Sequence, residues 1–216
     1  MKAIIVLSGG LDSTVLLTSM LRNGHEVKAL SVDYGQRHRR ELLYAVKVCA
    51  QLRIEHRVAD LSSLRQFMDQ SSQTGTIAVP HGHYAEESMK QTVVPNRNMI
   101  LLAVAGAWAI NLKFDAIAYA AHAGDHAIYP DCREEFVQPL AQALKNADWH
   151  SVEIVRPFLS KTKSDIVRIG KEVGAPMELT YSCYEGHEVH CGKCGTCVER
   201  REAFLKAGVK DPTRYA

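Results

Sequence analysis

Ser8-Gly9-Gly10-Leu11-Asp12-Ser13 is the stretch on which the fold turns. An apolar run, residues 3–7, precedes it and reads as a buried strand. Behind it, residues 13–22 carry Leu16, Leu17, Met20 and Leu21 at helical spacing. Two glycines between a strand and a helix let backbone N–H groups turn inward onto an anion. The helix start adds unpaired N–H groups and a favourable dipole. Ser8 and Ser13 supply hydroxyl donors, so Ser8, Gly9, Gly10, Leu11, Asp12, Ser13 and Thr14 form the candidate nucleotide-binding set. Asp12 would repel a phosphate unless Mg²⁺ lay between them, which assigns it to metal or to loop geometry. The plainer reading is a strand-to-helix turn capped by Asp12 or Ser13; six residues in order and in context favour the anion site. No Gly-Lys-Ser/Thr follows and no Gly-x-Gly-x-x-Gly is present, so neither the Walker loop nor the dinucleotide fingerprint applies.

Outward from the loop, the two periods alternate. Residues 27–32 read as a strand, 39–52 as a helix with Leu42, Val46 and Cys49 on one face, and 55–59 as a third strand. Strand-helix repetition with short joints predicts a parallel sheet covered by helices. Residues 70–95 are polar and read as a long loop, a length that in compact domains is often functional. An apolar helix at 98–111 and a strand at 116–119 follow, then an irregular stretch, 123–133. Residues 134–146 read as a helix that Pro139 should kink or split. A last strand is expected at 153–158 and a helix at 161–173, stopping at Gly174. The whole chain, 1–216, is expected to be one domain carrying a metal-binding segment at 180–200 and a short basic helix.

Composition narrows the function classes. A formal charge of +2 is a weak field for a dedicated nucleic-acid binder. No apolar run approaches the roughly 20 residues of a membrane span. The N-terminus has no signal-peptide pattern, so the cytoplasm is the expected address.

Four of the six cysteines, Cys183, Cys191, Cys194 and Cys197, crowd the last part of the chain. Two-residue gaps with intervening glycines can point successive sulfurs at one ion, and four thiolates suit tetrahedral Zn²⁺ in a closed, structural site. An iron–sulfur cluster, His187 or His190 in place of Cys183, and a redox-active Cys-x-x-Cys pair are the alternatives. Cys49 reads as a core residue and Cys132 as a small buried filler.

Three further segments sit where sheet edges bind ligands. Asp33-Tyr34-Gly35-Gln36-Arg37-His38 follows the second strand. Arg97, at the start of an apolar helix, opposes the dipole there and reads as a phosphate or carboxylate clamp. His122, Asp125 and His126 surround Gly124 after the strand at 116, and Tyr129-Pro130-Asp131-Cys132-Arg133 continues that loop.

The Ser-Gly-Gly-x-Asp-Ser loop resembles the pyrophosphate loop of the N-type ATP pyrophosphatases. That likeness implies an α/β, doubly wound (Rossmann-like), five-stranded parallel sheet of order 3-2-1-4-5, with ligands beyond the carboxyl ends of the strands. Lys163 is similar to the lysine that follows the last strand in that superfamily. Ser8–Ser13, Asp33–His38, Val94-Pro95-Asn96-Arg97-Asn98-Met99, Gly124–Arg133 and the four cysteines together resemble, in order and spacing, the 7-cyano-7-deazaguanine synthase family. Some members of that family have Cys-Glu-Thr-Asp where this chain has His122-Ala123-Gly124-Asp125. The resemblance implies conversion of 7-carboxy-7-deazaguanine, ammonia and ATP to the nitrile through an adenylated carboxylate and an amide, in queuosine biosynthesis. It implies Asp12, Ser13, Arg97 and Lys163 as catalytic groups. The deazaguanine would lie against Asp33, Tyr34, Gln36, Arg37, His122, Asp125, His126, Asp131 and Arg133. ATP, Mg²⁺ and structural Zn²⁺ are the expected cofactors, a homodimer the expected assembly, and no membrane or nucleic acid an expected partner. A tRNA-sulfurating enzyme, a nucleotide sensor on the same fold and a paralogue using another amine remain open, and no general base can be named.

Overall fold

A computed structural model describes residues 1–84 and 87–216. Its centre is β1 (Lys2–Val6), which pairs in parallel with β2 (Glu26–Asp33) on one side and β4 (Ala116–Ala118) on the other. β3 (His56–Asp60) and β5 (Glu153–Val155) complete the edges, giving the order β3-β2-β1-β4-β5 that the resemblance implied. Alternation along β1 divides the core. Ala3 and Ile5, with Leu7 just beyond, join a cluster with α1 (Leu11–Arg22), α2 (Arg40–Leu52), α5 (Lys163–Val173) and α6 (Gly195–Ala207). Ile4 faces the opposite cluster, built on α3 (Arg97–Leu112) and α4 (Glu134–Lys145). Strand order therefore reverses between β1 and β4, and a crevice opens beyond their carboxyl ends.

Several boundaries move. β5 stops at Val155 instead of running to residue 158: Pro157 has no N–H for the ladder, and Arg156 turns away to Glu134 at 2.7 Å. α4 passes through Pro139 without a break. The N–H that Pro139 lacks would have met the carbonyl of Glu135, and both residues are exposed, so water can take its place. In α2 the buried face is Glu41, Ala45, Val48 and Cys49; Val46, expected on it, is 48% exposed.

The stretch 70–95, of which residues 85 and 86 lie outside the described residues, is a drape with structure of its own. Arg37 pins it, donating its backbone N–H to Gln73 O and its guanidinium to Gly75 O and Ile77 O. A 3₁₀ turn, Glu87–Thr92, and a single bridge from His81 to Cys194 lay it across the cysteine segment. Among the described residues no helix is long and apolar enough to cross a membrane.

Candidate active site

Gly9 has φ +87°, and a Cβ there would stand 2.1 Å from the carbonyl oxygen of Glu41. Only glycine lets the loop after β1 press against the start of α2. Ser8 and Ser13 close the loop, their hydroxyls 3.1 Å apart, with Gly10 N–H donating to Ser8 Oγ. Beside it lies a crevice of about 210 Å³ bounded by this loop, β2, α3, the segment after β4, and the cysteine segment.

A charged cluster forms the loop's flank. Lys163, at the start of α5, lies 2.5 Å from Asp12 and 3.3 Å from Glu199 of α6. His122 is held with Nδ1 accepting from Gly124 N–H, which leaves Nε2 3.4 Å from Lys163 and 4.0 Å from Asp12. Burial opposes the charge on Asp12, but Lys163 and His122 outweigh it and hold the carboxyl below its usual range. Burial prevails at Glu199, whose pKa is raised despite Lys163. Asp12 Oδ1 is buried with no hydrogen-bond partner among the described residues.

The far side of the crevice is aromatic. Tyr34, Tyr84, Tyr119, Tyr129, Tyr181 and Tyr184 all line it. Tyr84 donates to Asp125 Oδ1, and the Tyr129 hydroxyl meets those of Thr92 (2.7 Å) and Tyr184 (3.2 Å). Arg97 stacks over Tyr129, 5.6 Å from the ring centre, and also reaches Tyr34.

Of the residues singled out in the sequence, Ser8, Gly10, Leu11, Asp12, Ser13, Tyr34, Arg97, Asp125 and Lys163 line the crevice. The others stand behind it. Gly9 packs on Glu41, and Thr14 is buried in α1. Asp33 pairs with Arg39, and Gln36 bonds the Tyr34 N–H, the Val32 carbonyl and Glu41. Asp131 accepts from the Asn98 N–H, capping α3 in place of Asn96, whose side chain makes no cap. Arg133 donates to the carbonyl of His126. Tyr84, Tyr119, Tyr181, Tyr184, Glu41, Ser182 and Thr196 were not singled out in the sequence, and only burial in three dimensions gathers them; His38, Asn98, Tyr129 and Cys132 lay in the quoted segments without a role of their own.

The cysteines lie behind one wall of the crevice, among residues that line it. The sulfurs of Cys183, Cys191, Cys194 and Cys197 lie within 4.8 Å of one another, and Cys191 and Cys197 are 4.0 Å apart. Four thiolates about 2.3 Å from one ion stand about 3.8 Å apart, so the donor set fits a tetrahedral metal. Backbone N–H groups of Lys193 and Cys194 point at Cys191 Sγ, and that of Cys191 at Cys183 Sγ. His190 is not a candidate ligand: its Nε2 accepts from Ser182 N–H, and burial and Arg200 push its pKa down to about 4. Arg200, fully buried, ties Met177, Thr180, Ser182 and Asp211 together and holds the segment against α6. Tyr181, Ser182, Tyr184 and Thr196, which line the crevice, are thus carried by the residues that flank the sulfurs.

Comparison with known proteins agrees with this geometry. Residues 2–208 match the family model described as queuosine biosynthesis protein QueC. The chain is 50% identical over 214 residues to 7-cyano-7-deazaguanine synthase of Pseudoalteromonas translucida, covering 99% of this chain and 98% of that one. It is 49% identical over 215 residues to the enzyme of the same name from Methanoregula boonei, covering 100% and 99%. Among solved structures, the U34-tRNA thiolase NcsA of Methanococcus maripaludis, with its [4Fe-4S] cluster, superposes with a TM-score of 0.52 at 18% identity, over 96% of this chain and 73% of that one. That likeness establishes a shared fold. The loop at Ser8–Ser13, the tyrosine-lined crevice and the four-sulfur cluster are therefore features of a chain that belongs to the QueC family of queuosine biosynthesis proteins.

Proposed function

We propose that this chain converts 7-carboxy-7-deazaguanine and ammonia to 7-cyano-7-deazaguanine at the expense of ATP. One observation carries the reading beyond the name of its relatives: the phosphate loop and the tyrosine chamber open into the same crevice, so a planar heterocycle and a triphosphate can meet there.

A carboxylate oxygen is a poor leaving group, and adenylation replaces it with AMP. The carboxylate attacks the α-phosphorus while Ser8, Gly10 and Ser13, in the loop that Gly9 shapes, receive the departing pyrophosphate. Arg97, which stacks over Tyr129 and makes no ion pair among the described residues, suits the substrate carboxylate. Tyr34, Tyr84, Tyr129 and Tyr184 would sandwich the base. Asp125 stands at its edge, and Asp33, Gln36, Arg37, His122, His126, Asp131 and Arg133 support the walls from behind. Lys163 keeps Asp12 ionised beside the loop. The bare Asp12 Oδ1 is the atom here best suited to Mg²⁺, which would offset phosphate charge when bound. The four thiols fit structural Zn²⁺, with no open coordination position. Clustered free thiols suit the reducing cytoplasm, and a homodimer is the expected assembly.

The test is to incubate the protein with Mg²⁺-ATP and 7-carboxy-7-deazaguanine, with and without ammonia, and to follow bases and nucleotides together. The amide should precede the nitrile, with AMP and pyrophosphate rising alongside both. Accumulation of ADP and phosphate alone would exclude adenylation.

A further inference from the structure

The proposed reaction moves protons off nitrogen, and among the described residues that line the crevice one carboxylate has no cationic side chain paired with it. Asp12 is neutralised by Lys163 at 2.5 Å, and Glu199 faces the same lysine at 3.3 Å. Asp125 accepts from Tyr84 and from the His122 N–H, and Asp33 is paired with Arg39. Glu41 differs. It lines the crevice from the first turn of α2, and its backbone carbonyl packs against Gly9 of the phosphate loop. Its hydrogen-bond donor is the neutral amide of Gln36, at 3.1 Å from Oε1, and no lysine or arginine pairs with it among the described residues.

We propose that Glu41 is the proton acceptor for the nitrogen that enters this crevice, an assignment that rests on the reaction proposed above. In the first stage the ammonia lone pair forms the C–N bond as the C–O bond to AMP breaks. AMP leaves with that electron pair, and the surplus N–H proton passes to the Glu41 carboxylate. In the second stage the amide oxygen takes another adenylyl group from ATP and pyrophosphate departs. Loss of both remaining N–H protons, one at a time to Glu41 and on to solvent, and of AMP with the C–O pair leaves the C≡N bond.

The surroundings of Glu41 suit that work. Burial pushes its carboxyl up to about 8, with Asp33 adding to the rise and Gln36 and Arg97 opposing it. An acceptor is most effective when its pKa is close to the working pH. His38, with Nε2 3.4 Å from Glu41 Oε1, is no competitor. Its own burial, with Arg97 and Arg37 nearby, pushes the imidazole down to about 3.

The experiment compares the parent with Glu41→Gln, which keeps the side chain's shape. Two rates are read: pyrophosphate exchange into ATP dependent on 7-carboxy-7-deazaguanine, a half-reaction that moves no N–H proton, and amide formation from ammonia. Exchange should stay within about tenfold of the parent, while the ammonia reaction falls by about 10²-fold or more. Ammonia turnover within tenfold of the parent would overturn the assignment. Parallel loss of both rates would also overturn it, making Glu41 a support for the loop. If the parent itself shows no carboxylate-dependent exchange, the proposed reaction falls and Glu41's role falls with it.

Discussion

Lys163 Nζ lies 2.5 Å from Asp12 Oδ2 and so ties the start of α5 to the phosphate loop across 151 positions of sequence. The pair is mostly shielded from solvent, with Glu199 and His122 completing the group. Lys163 is the cation that lets two carboxylates share this flank.

Lys163→Met should therefore cost both activity and stability. Removing one member of a buried pair costs about 3–5 kcal/mol, and partial exposure places this one toward the lower end. Turnover should fall by at least about 10²-fold. Asp12→Asn should also inactivate, yet the double variant should melt well above the sum of the two losses, because the residues are coupled. Thermal melts of both singles and the double decide it; strictly additive losses would mean the contact is not maintained in solution.

Purified protein should hold about one Zn²⁺ per chain, lost in Cys194→Ser. Because metal binding there is folding free energy, chelation should release the segment from Tyr181 to Thr196 and with it one wall of the crevice. Elemental analysis, with limited proteolysis before and after chelation, checks both points. Iron with visible cluster absorbance would replace zinc by a cluster.

Gly9→Ala and Gly24→Ala make a controlled comparison, since both glycines have positive φ. At Gly24 nothing lies within 4 Å of the added Cβ, so the cost is backbone strain alone, about 1–2 kcal/mol. At Gly9 the same methyl meets the Glu41 backbone carbonyl and must push α2 off the loop. Gly9→Ala should fail to bind ATP and should melt far below Gly24→Ala; equal melting temperatures would show that the loop can yield.

What the sequence could disclose depended on how local each signal was. The loop, the four cysteines and the run of strands and helices are written in contiguous residues, and the sheet order followed from the family those residues resemble. The tyrosines come from separated segments without a shared motif, so no periodicity marks them. Glu41 was hidden for a more particular reason. Taking Leu42, Val46 and Cys49 as the buried face of α2 turns Glu41 toward water. The true face begins with Glu41 itself, because Gly9 packs on its backbone. Asp131 capping α3 from 33 residues away is likewise a tertiary fact that no local pattern announces.

Glu41 also makes a prediction about stability and pH. Its carboxyl is raised from the usual 4.5 to about 8 in the folded protein, chiefly by burial. Between those values the folded state binds a proton that the unfolded chain has released. Its contribution is therefore fully present below about pH 4.5 and is lost as pH rises through about 8. Glu41→Gln is neutral at every pH and escapes that loss. The variant should melt close to the parent at pH 4.5 and above it at pH 8, with the gap widening steadily between. A constant offset across the range would mean that Glu41 is already ionised in the folded protein at the lower pH.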